Sequence, residues 1–470
     1  MNNPRSLQDI FEHRCQTDWL IGLSAAAWEA KTRAYLDVLA PLIAENVYPR
    51  ILLTQADPAA FLGGFMAAAI AQCPVLLGNP TWSASEWETV AALTHPHLCW
   101  GERPPSVDMD PITTATPQEK GWILIPTSGT SSSIKFAIHT WETLSCAVYG
   151  FCLHFFGGSA PVNSCCCLPL YHVSGLMQFM RSFLTGGVFA YFASNAVLTG
   201  QSENLAELAF LSSPSTSLSR FFLSLVPTQL WRLLQSSARI HWLQQFSAIL
   251  VGGGATSPEL LRQAREARLN LAPTYGMTEM AAQVATLRPD EFLQGQDGVG
   301  YPLPHTEISI LNGEKIPLPL EQIGQITILS SASFLGYYPE PQESVWYFPT
   351  GDRGYFDAEG FLHVLGRSDR QLITGGENVS PEEVEAAVQG TGLVQDVYVV
   401  GIPDPEWGQA IAAFYVPIAP TLAEKALKTA IAQHLSAHKH PKHWQAVQQI
   451  PRNAQGKVIL DSNILQREGG

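Results

Sequence analysis

Ile249-Leu250-Val251 runs straight into Gly252-Gly253-Gly254, and Ser257 and Pro258 follow a few residues later. A short apolar run reads as a buried strand, three glycines as a tight turn, and serine followed by proline as the cap and first position of a helix. Strand-like runs alternate with helical stretches in this way over most of the first 350 residues, which is the pattern of a layered α/β architecture. The most apolar stretch, Phe61 to Leu77, is interrupted by Gly63-Gly64, Gln72 and Pro74. It falls short of a spanning helix and reads as a buried helix followed by the strand Val75-Leu76-Leu77. No transmembrane segment is expected.

A chain of 470 residues corresponds to about three domain units, although one large α/β domain can absorb two of them. The texture changes after Gly366, where Arg367-Ser368-Asp369-Arg370 forms a charged step between two more apolar regions. Beyond it, Ser380-Pro381-Glu382-Glu383 reads as a capping box with proline at the first helical position. The expected division is a large unit over 1–366 and a small α+β unit over 367–470, with Asp369 where a hinge would sit.

Charge narrows the partners. With 27 basic against 41 acidic residues the formal charge is −14, which argues against a nucleic-acid surface. An anionic substrate must therefore be met by local donors. The eight cysteines, Cys15, Cys73, Cys99, Cys146, Cys152 and Cys165-Cys166-Cys167, contain no C-x-x-C pair and fit buried thiols in a reducing compartment. Met1 to Arg14 lacks the apolar centre of a signal peptide, so the cytoplasm is the expected location. His438, His440 and His443 have no cysteine or acidic ligand beside them, which argues against zinc.

Several short segments carry chemistry. After the apolar run Trp122 to Ile125 comes Thr127-Ser128-Gly129-Thr130-Ser131-Ser132-Ser133-Ile134-Lys135, a turn able to offer backbone N–H groups, hydroxyls and one ammonium to a polyphosphate. It is not a Walker loop, because its lysine is neither preceded by glycine nor followed by Ser or Thr. Thr274-Tyr275-Gly276-Met277-Thr278-Glu279 offers an aromatic face, a hydroxyl and a carboxylate, a set suited to a purine and a hard cation. Thr350-Gly351-Asp352 reads as a short acidic turn whose carboxylate can accept from both ribose hydroxyls, with Arg367 assisting. Arg181 lies in an otherwise apolar helical stretch and needs a partner, from the protein or from a ligand. His172 lies between an apolar run and Gly175, where a core histidine is the ordinary reading. Near the end, Pro451-Arg452-Asn453-Ala454-Gln455-Gly456-Lys457 places one lysine after a turn.

Taken in order, the Lys135 loop, the Tyr275–Glu279 segment, Thr350-Gly351-Asp352, Gly366-Arg367-Ser368-Asp369, Gly375-Gly376-Glu377-Asn378 and the Lys457 turn resemble the motif set of the adenylate-forming superfamily. The stretches around Leu168–Gly175 with Arg181, Ser224–Leu234 and Gly252-Gly253-Gly254-Ala255 are similar to those of o-succinylbenzoate–CoA ligases of menaquinone and phylloquinone synthesis. The resemblance implies a large multi-layered α/β N-terminal domain and a small α+β C-terminal domain on a hinge. It also implies ATP, Mg²⁺ and coenzyme A as reactants and cofactors of an AMP-forming acid–thiol ligase. Other acyl- or aryl-CoA ligases, a stand-alone adenylation enzyme and a non-catalytic nucleotide sensor of the same fold stay open, as does a homo-oligomer.

By the same resemblance, Thr127, Ser128, Gly129, Thr130 and Lys135 hold phosphates, and Gly254, Thr274, Tyr275, Gly276 and Thr278 surround the nucleotide. Asp352 and Arg367 hold the ribose, while Glu279 and Thr130 orient Mg²⁺. His172, Ser174, Arg181, Gly253, Gly254 and Met277 line the acyl pocket. Asp369 is the hinge, Gly375, Gly376 and Glu377 line the pantetheine path, and Lys457, with His172, is catalytic. The family usually has glycine, proline and glycine where this chain has Ser132, Ile134 and Phe136, which implies a stiffer phosphate loop.

Overall fold

The computed structural model describes residues 6–103, 108–113, 116–127, 134–192, 220–254, 256–341, 347–370, 372–374, 377–404, 408–420, 422–432, 434–435, 439–452 and 458. Among them the strands form four sheets, of seven, eight, four and five strands. The protein is mixed α/β, with a large N-terminal part and a smaller C-terminal part. Phe61 to Leu77 becomes a helix, Pro58–Ala71, and a strand, Val75–Leu77. The Asp57 side chain caps that helix, and most of its residues are buried on every face, as its unbroken apolar sequence requires.

The two large sheets share one core. Ile51 and Leu53 of the seven-stranded sheet and Phe222, Ala248 and Leu250 of the eight-stranded sheet pack into a single cluster. The helices Pro58–Ala71, Trp141–Phe156 and Val173–Thr185 contribute to the same cluster. The alternate residues face outward: Leu52 and Leu76 meet Trp87 and Val90, while Leu223, Ile249 and Val251 meet Leu230, Leu243 and Leu260. Each strand is thus buried on both faces, and its sequence is a continuous apolar run rather than an alternating one. The strands Phe221–Leu225, Ala248–Val251 and Leu271–Met277 are parallel neighbours, so their carboxyl ends open on one edge, where α/β sheets characteristically bind ligands.

Three local readings are corrected. Thr350-Gly351-Asp352 is not a turn but the middle of the strand Phe348–Phe356. Asp352 pairs with Arg367 of Leu362–Arg367, and Gly351 supplies a left-handed kink at φ 79°. The helix Pro381–Gly390 starts where proline signalled it, yet the Ser380 side chain makes no cap bond. Its hydroxyl instead meets the Leu365 carbonyl at 3.3 Å and Glu382 at 2.8 Å. Phe136 lies outside the loop in which the sequence reading placed it. It belongs to the strand Lys135–His139, fully buried among Leu124, Trp87 and Ile138.

Candidate nucleotide and acyl site

The strand Ile123–Thr127 returns antiparallel as Lys135–His139, so Thr127 lies directly opposite Lys135. Ser128, Gly129, Thr130 and Ser132 fall outside the described residues. Lys135 is exposed, and its ammonium sits 5.4 Å above the centre of the Tyr337 ring. Tyr337 in turn donates a 2.6 Å hydrogen bond to Glu279 Oε1. Neither Tyr337 nor the residue that anchors this corner was singled out from sequence. That anchor is His139, whose Nε2 lies 2.7 Å from the Thr278 carbonyl and whose Nδ1 lies 3.0 Å from Thr143 Oγ1. Burial pushes the His139 imidazole down to about 4, so at neutral pH it is uncharged and pins the Thr278–Met280 turn to the strand Lys135–His139.

A second cluster joins three separated segments. Tyr275 Oη donates to Asp352 Oδ2 at 2.5 Å, and burial followed by the Asp352 charge pushes the phenol well above its ordinary range. The Thr350 hydroxyl donates to the Ile326 carbonyl and accepts from the Asp352 amide, both at 3.0 Å. Arg367 Nη1 donates to the Thr350 carbonyl at 3.4 Å. A carboxylate, a guanidinium and an aromatic ring therefore converge at the end of the Leu271–Met277 strand. Gly276 sits at a register shift against the next strand, and Met277 packs against the core of the four-stranded sheet.

The third cluster surrounds Arg181, which is only 5% exposed. Its Nη2 donates to Gln283 Oε1 at 2.5 Å, and its guanidinium lies 4.2 Å from the Phe151 ring centre. Among the described residues its Nε has no hydrogen-bond partner. Burial lowers its pKa to about 10, which still leaves it charged at neutral pH. Among the described residues its partner is thus a neutral amide and not a carboxylate. The Gln283 amide donates to Thr274 Oγ1 and Thr286 Oγ1, each at 3.1 Å, so Arg181 is tied to the strand Leu271–Met277 through a residue that sequence reasoning missed.

Other expected residues are more dispersed. His172 is the N-cap of the helix Val173–Thr185 and its ring lies 4.4 Å from that of Tyr171. Ser174 is exposed in the first turn. Arg181 comes nine positions after His172, roughly 13 Å along a helix axis, so the two backbones are not brought together. Gly253 and Gly254 form an exposed turn beside Val226 and Pro227. A side chain at Gly252 would meet Thr274 atoms at 2.8 Å, which is why glycine stands there. Asp369 lies in the single turn Ser368–Arg370 and Glu377 opens the strand Glu377–Val379. Gly375, Gly376 and Lys457 lie outside the described residues. A cavity of about 400 Å³ lined by Phe155, Phe222, Ala248 and Arg288 is at the opposite, amino-terminal edge of the parallel strands and holds none of these groups. No described helix is long and apolar enough to cross a membrane.

Two sheets sharing a helical layer, a third small sheet that supplies Asp352 and Arg367, and a separate C-terminal sheet define an adenylate-forming architecture. The sequence matches the AMP-binding enzyme family over residues 80–338 and the AMP-binding enzyme C-terminal domain over residues 383–457. The chain belongs to that family. It is 31% identical over 298 residues to the 2-succinylbenzoate–CoA ligase of Oceanobacillus iheyensis, covering 62% of this chain and 59% of that protein. The chain thus spans about three fifths of that relative's length. To the 2-succinylbenzoate–CoA ligase of Geobacillus kaustophilus it is 31% identical over 364 residues, 76% of this chain and 71% of the relative. In fold it resembles the o-succinylbenzoate CoA synthetase of Bacillus subtilis solved with an acyl-adenylate intermediate, with TM-score 0.80, 23% identity and 98% of each chain covered.

Proposed function

We propose that the protein is an AMP-forming acid–CoA ligase that activates the succinyl carboxylate of o-succinylbenzoate. The observation that carries this reading is the convergence of Tyr275, Asp352 and Arg367 on one side of a strand end and of Glu279 and Lys135 on the other. It is supported by the similarity to 2-succinylbenzoate–CoA ligases.

In the first step the acid's carboxylate attacks the α-phosphorus of ATP, and pyrophosphate leaves. Two anions are brought together, so catalysis consists of alignment and of positive charge where negative charge gathers. Asp352 and Arg367 hold the ribose, Tyr275 lies against the adenine, and Lys135 with Thr127, Ser128, Gly129 and Thr130 receives the β- and γ-phosphates. Mg²⁺ would be held by Glu279 with Thr130, where it neutralises phosphate oxygens. Glu279 suits it, because among the described residues its carboxylate meets a phenol and no cation. Lys457 bridges the acyl carboxylate and the α-phosphate. In the second step the thiol of coenzyme A displaces AMP from the acyl carbon. The 367–470 unit rotates about Asp369, withdrawing Lys457 and bringing Gly375, Gly376 and Glu377 to the pantetheine.

Arg181 gives the acyl pocket its selectivity. A buried guanidinium that among the described residues hydrogen-bonds an amide and no carboxylate retains its full charge, which suits the benzoate carboxylate that is not activated. His172, Ser174, Gly253 and Gly254 line the approach. The test is AMP formation by the purified chain with ATP, coenzyme A and a panel of acids. The reading requires AMP release that depends on coenzyme A and is fastest with o-succinylbenzoate. Faster turnover of a monocarboxylate reassigns the substrate, and no AMP with any acid removes the ligase reading.

A further inference from the structure

The corner that holds Lys135 and Glu279 contains a device that the ligase reading does not use. The two side chains carry opposite charge on neighbouring elements, the strand Lys135–His139 and the turn Thr278–Met280. Such a pair would ordinarily close on itself, and triphosphate and metal would then have to break it. It does not close. Among the described residues neither group forms an ion pair, and the Tyr337 side chain stands between them, its face under the Lys135 ammonium and its hydroxyl on Glu279 Oε1.

Tyr337 is held firmly in that position. Its strand bridges to Ala137, and the flanking amides of Leu335 and Tyr338 donate to the carbonyls of Ile138 and Phe136 at 2.8 and 2.9 Å. Phe334 donates to the Glu279 carbonyl at 2.8 Å, and its ring meets Tyr337 edge-on at 5.0 Å.

We propose that Tyr337 is a positioning residue that keeps Lys135 and Glu279 apart, so that the ammonium is free for the outer phosphates of ATP and one carboxylate oxygen is free for its metal. The hydrogen bond engages Glu279 through Oε1, and a carboxylate so held would still have an oxygen to offer the cation. The ring holds the ammonium by cation–π attraction, weakly enough to be released to a phosphate. This rests on the reading that MgATP is the nucleotide.

The experiment is calorimetric titration of the intact protein, Tyr337→Phe and Tyr337→Leu with MgATP and, separately, with AMP in the absence of metal. AMP has neither the outer phosphates nor the metal, so its affinity should be equal in all three proteins. Tyr337→Leu removes both spacer and hydrogen bond and should weaken MgATP about tenfold, the scale of one charge-assisted contact. Tyr337→Phe keeps the ring and should lose less. Unchanged MgATP affinity in Tyr337→Leu overturns the proposal. So does a parallel loss of AMP and MgATP in both variants, which would mark a merely structural role. If the unaltered protein binds neither nucleotide, the adenylation reading fails first, and the two failures are thereby distinguished.

Discussion

Replacing Gln283 with glutamate should convert the acyl pocket from one that favours a second carboxylate into one indifferent to it. The substitution preserves shape, and the hydroxyls of Thr274 and Thr286, which now accept from the Gln283 amide, can turn to donate to a carboxylate. What changes is charge: Arg181, bonded through Nη2 to this side chain at 2.5 Å, acquires an internal counter-ion. A unit charge about 5 Å from a substrate carboxylate is worth roughly 3 kcal/mol at an effective dielectric constant near 20. Cancelling it should raise KM for o-succinylbenzoate by about 30- to 100-fold, allowing for relaxation. The comparison acid is the same ketone without the benzoate carboxylate, for which KM should change less than about threefold, within the scatter of a non-contacting substitution. KM for ATP should stay put, and Arg181→Ala should reproduce the discrimination. Equal changes for both acids in Gln283→Glu would show that Arg181 does not read the second carboxylate.

The remaining expectations concern stability and the two half-reactions. His139, His154 and His305 are each pushed down to about 4 by burial, below the unfolded value near 6.5, so their contribution is complete above that value and is lost as pH falls toward 4. Each should cost roughly 2 kcal/mol at pH 5, and urea midpoints that stay level between pH 7 and pH 5 would contradict this. Phe136→Ala should lower stability by about 3–5 kcal/mol, as for other buried phenylalanines, with MgATP affinity intact; a large loss of MgATP binding with AMP binding retained in the folded variant would return Phe136 to the phosphate loop. Lys457→Ala should abolish adenylate formation and spare thioester formation from supplied acyl-adenylate, and equal loss in both half-reactions would dismiss the assignment.

What the sequence disclosed, and what it hid, divide along chain separation. The strand Ala248–Val251 and the helix Pro258–Glu266 were readable because the apolar run, the glycine turn, the serine cap and the first-turn proline all act within a few residues. The same holds for the buried helix that starts at Pro58. Thr350-Gly351-Asp352 was misplaced for the converse reason. Gly351 and Asp352 look locally like a turn, but strands on both sides of Phe348–Phe356 supply its pairing. Local preference loses to a ladder that only the folded chain provides.

The site shows the same division with a sharper consequence. The residues proposed to face a ligand, such as Tyr275, Glu279, Asp352 and Lys135, carry distinctive chemistry within short segments, so short motifs expose them. The residues that hold them lie far away in sequence: Tyr337 is 58 positions from Glu279, His139 is 139 from Thr278, and Gln283 is 102 from Arg181. A tyrosine after a glycine, a histidine before a helix cap and a glutamine inside an apolar strand each have ordinary local explanations. Their roles arise because buried polar groups must find partners, and the partners are chosen by sheet pairing. On the proposed reading, substrate selectivity depends on one such choice. A carboxylate at position 283 would satisfy Arg181 better inside the protein and leave it with less to offer a ligand, whereas glutamine satisfies one N–H and leaves the charge unspent.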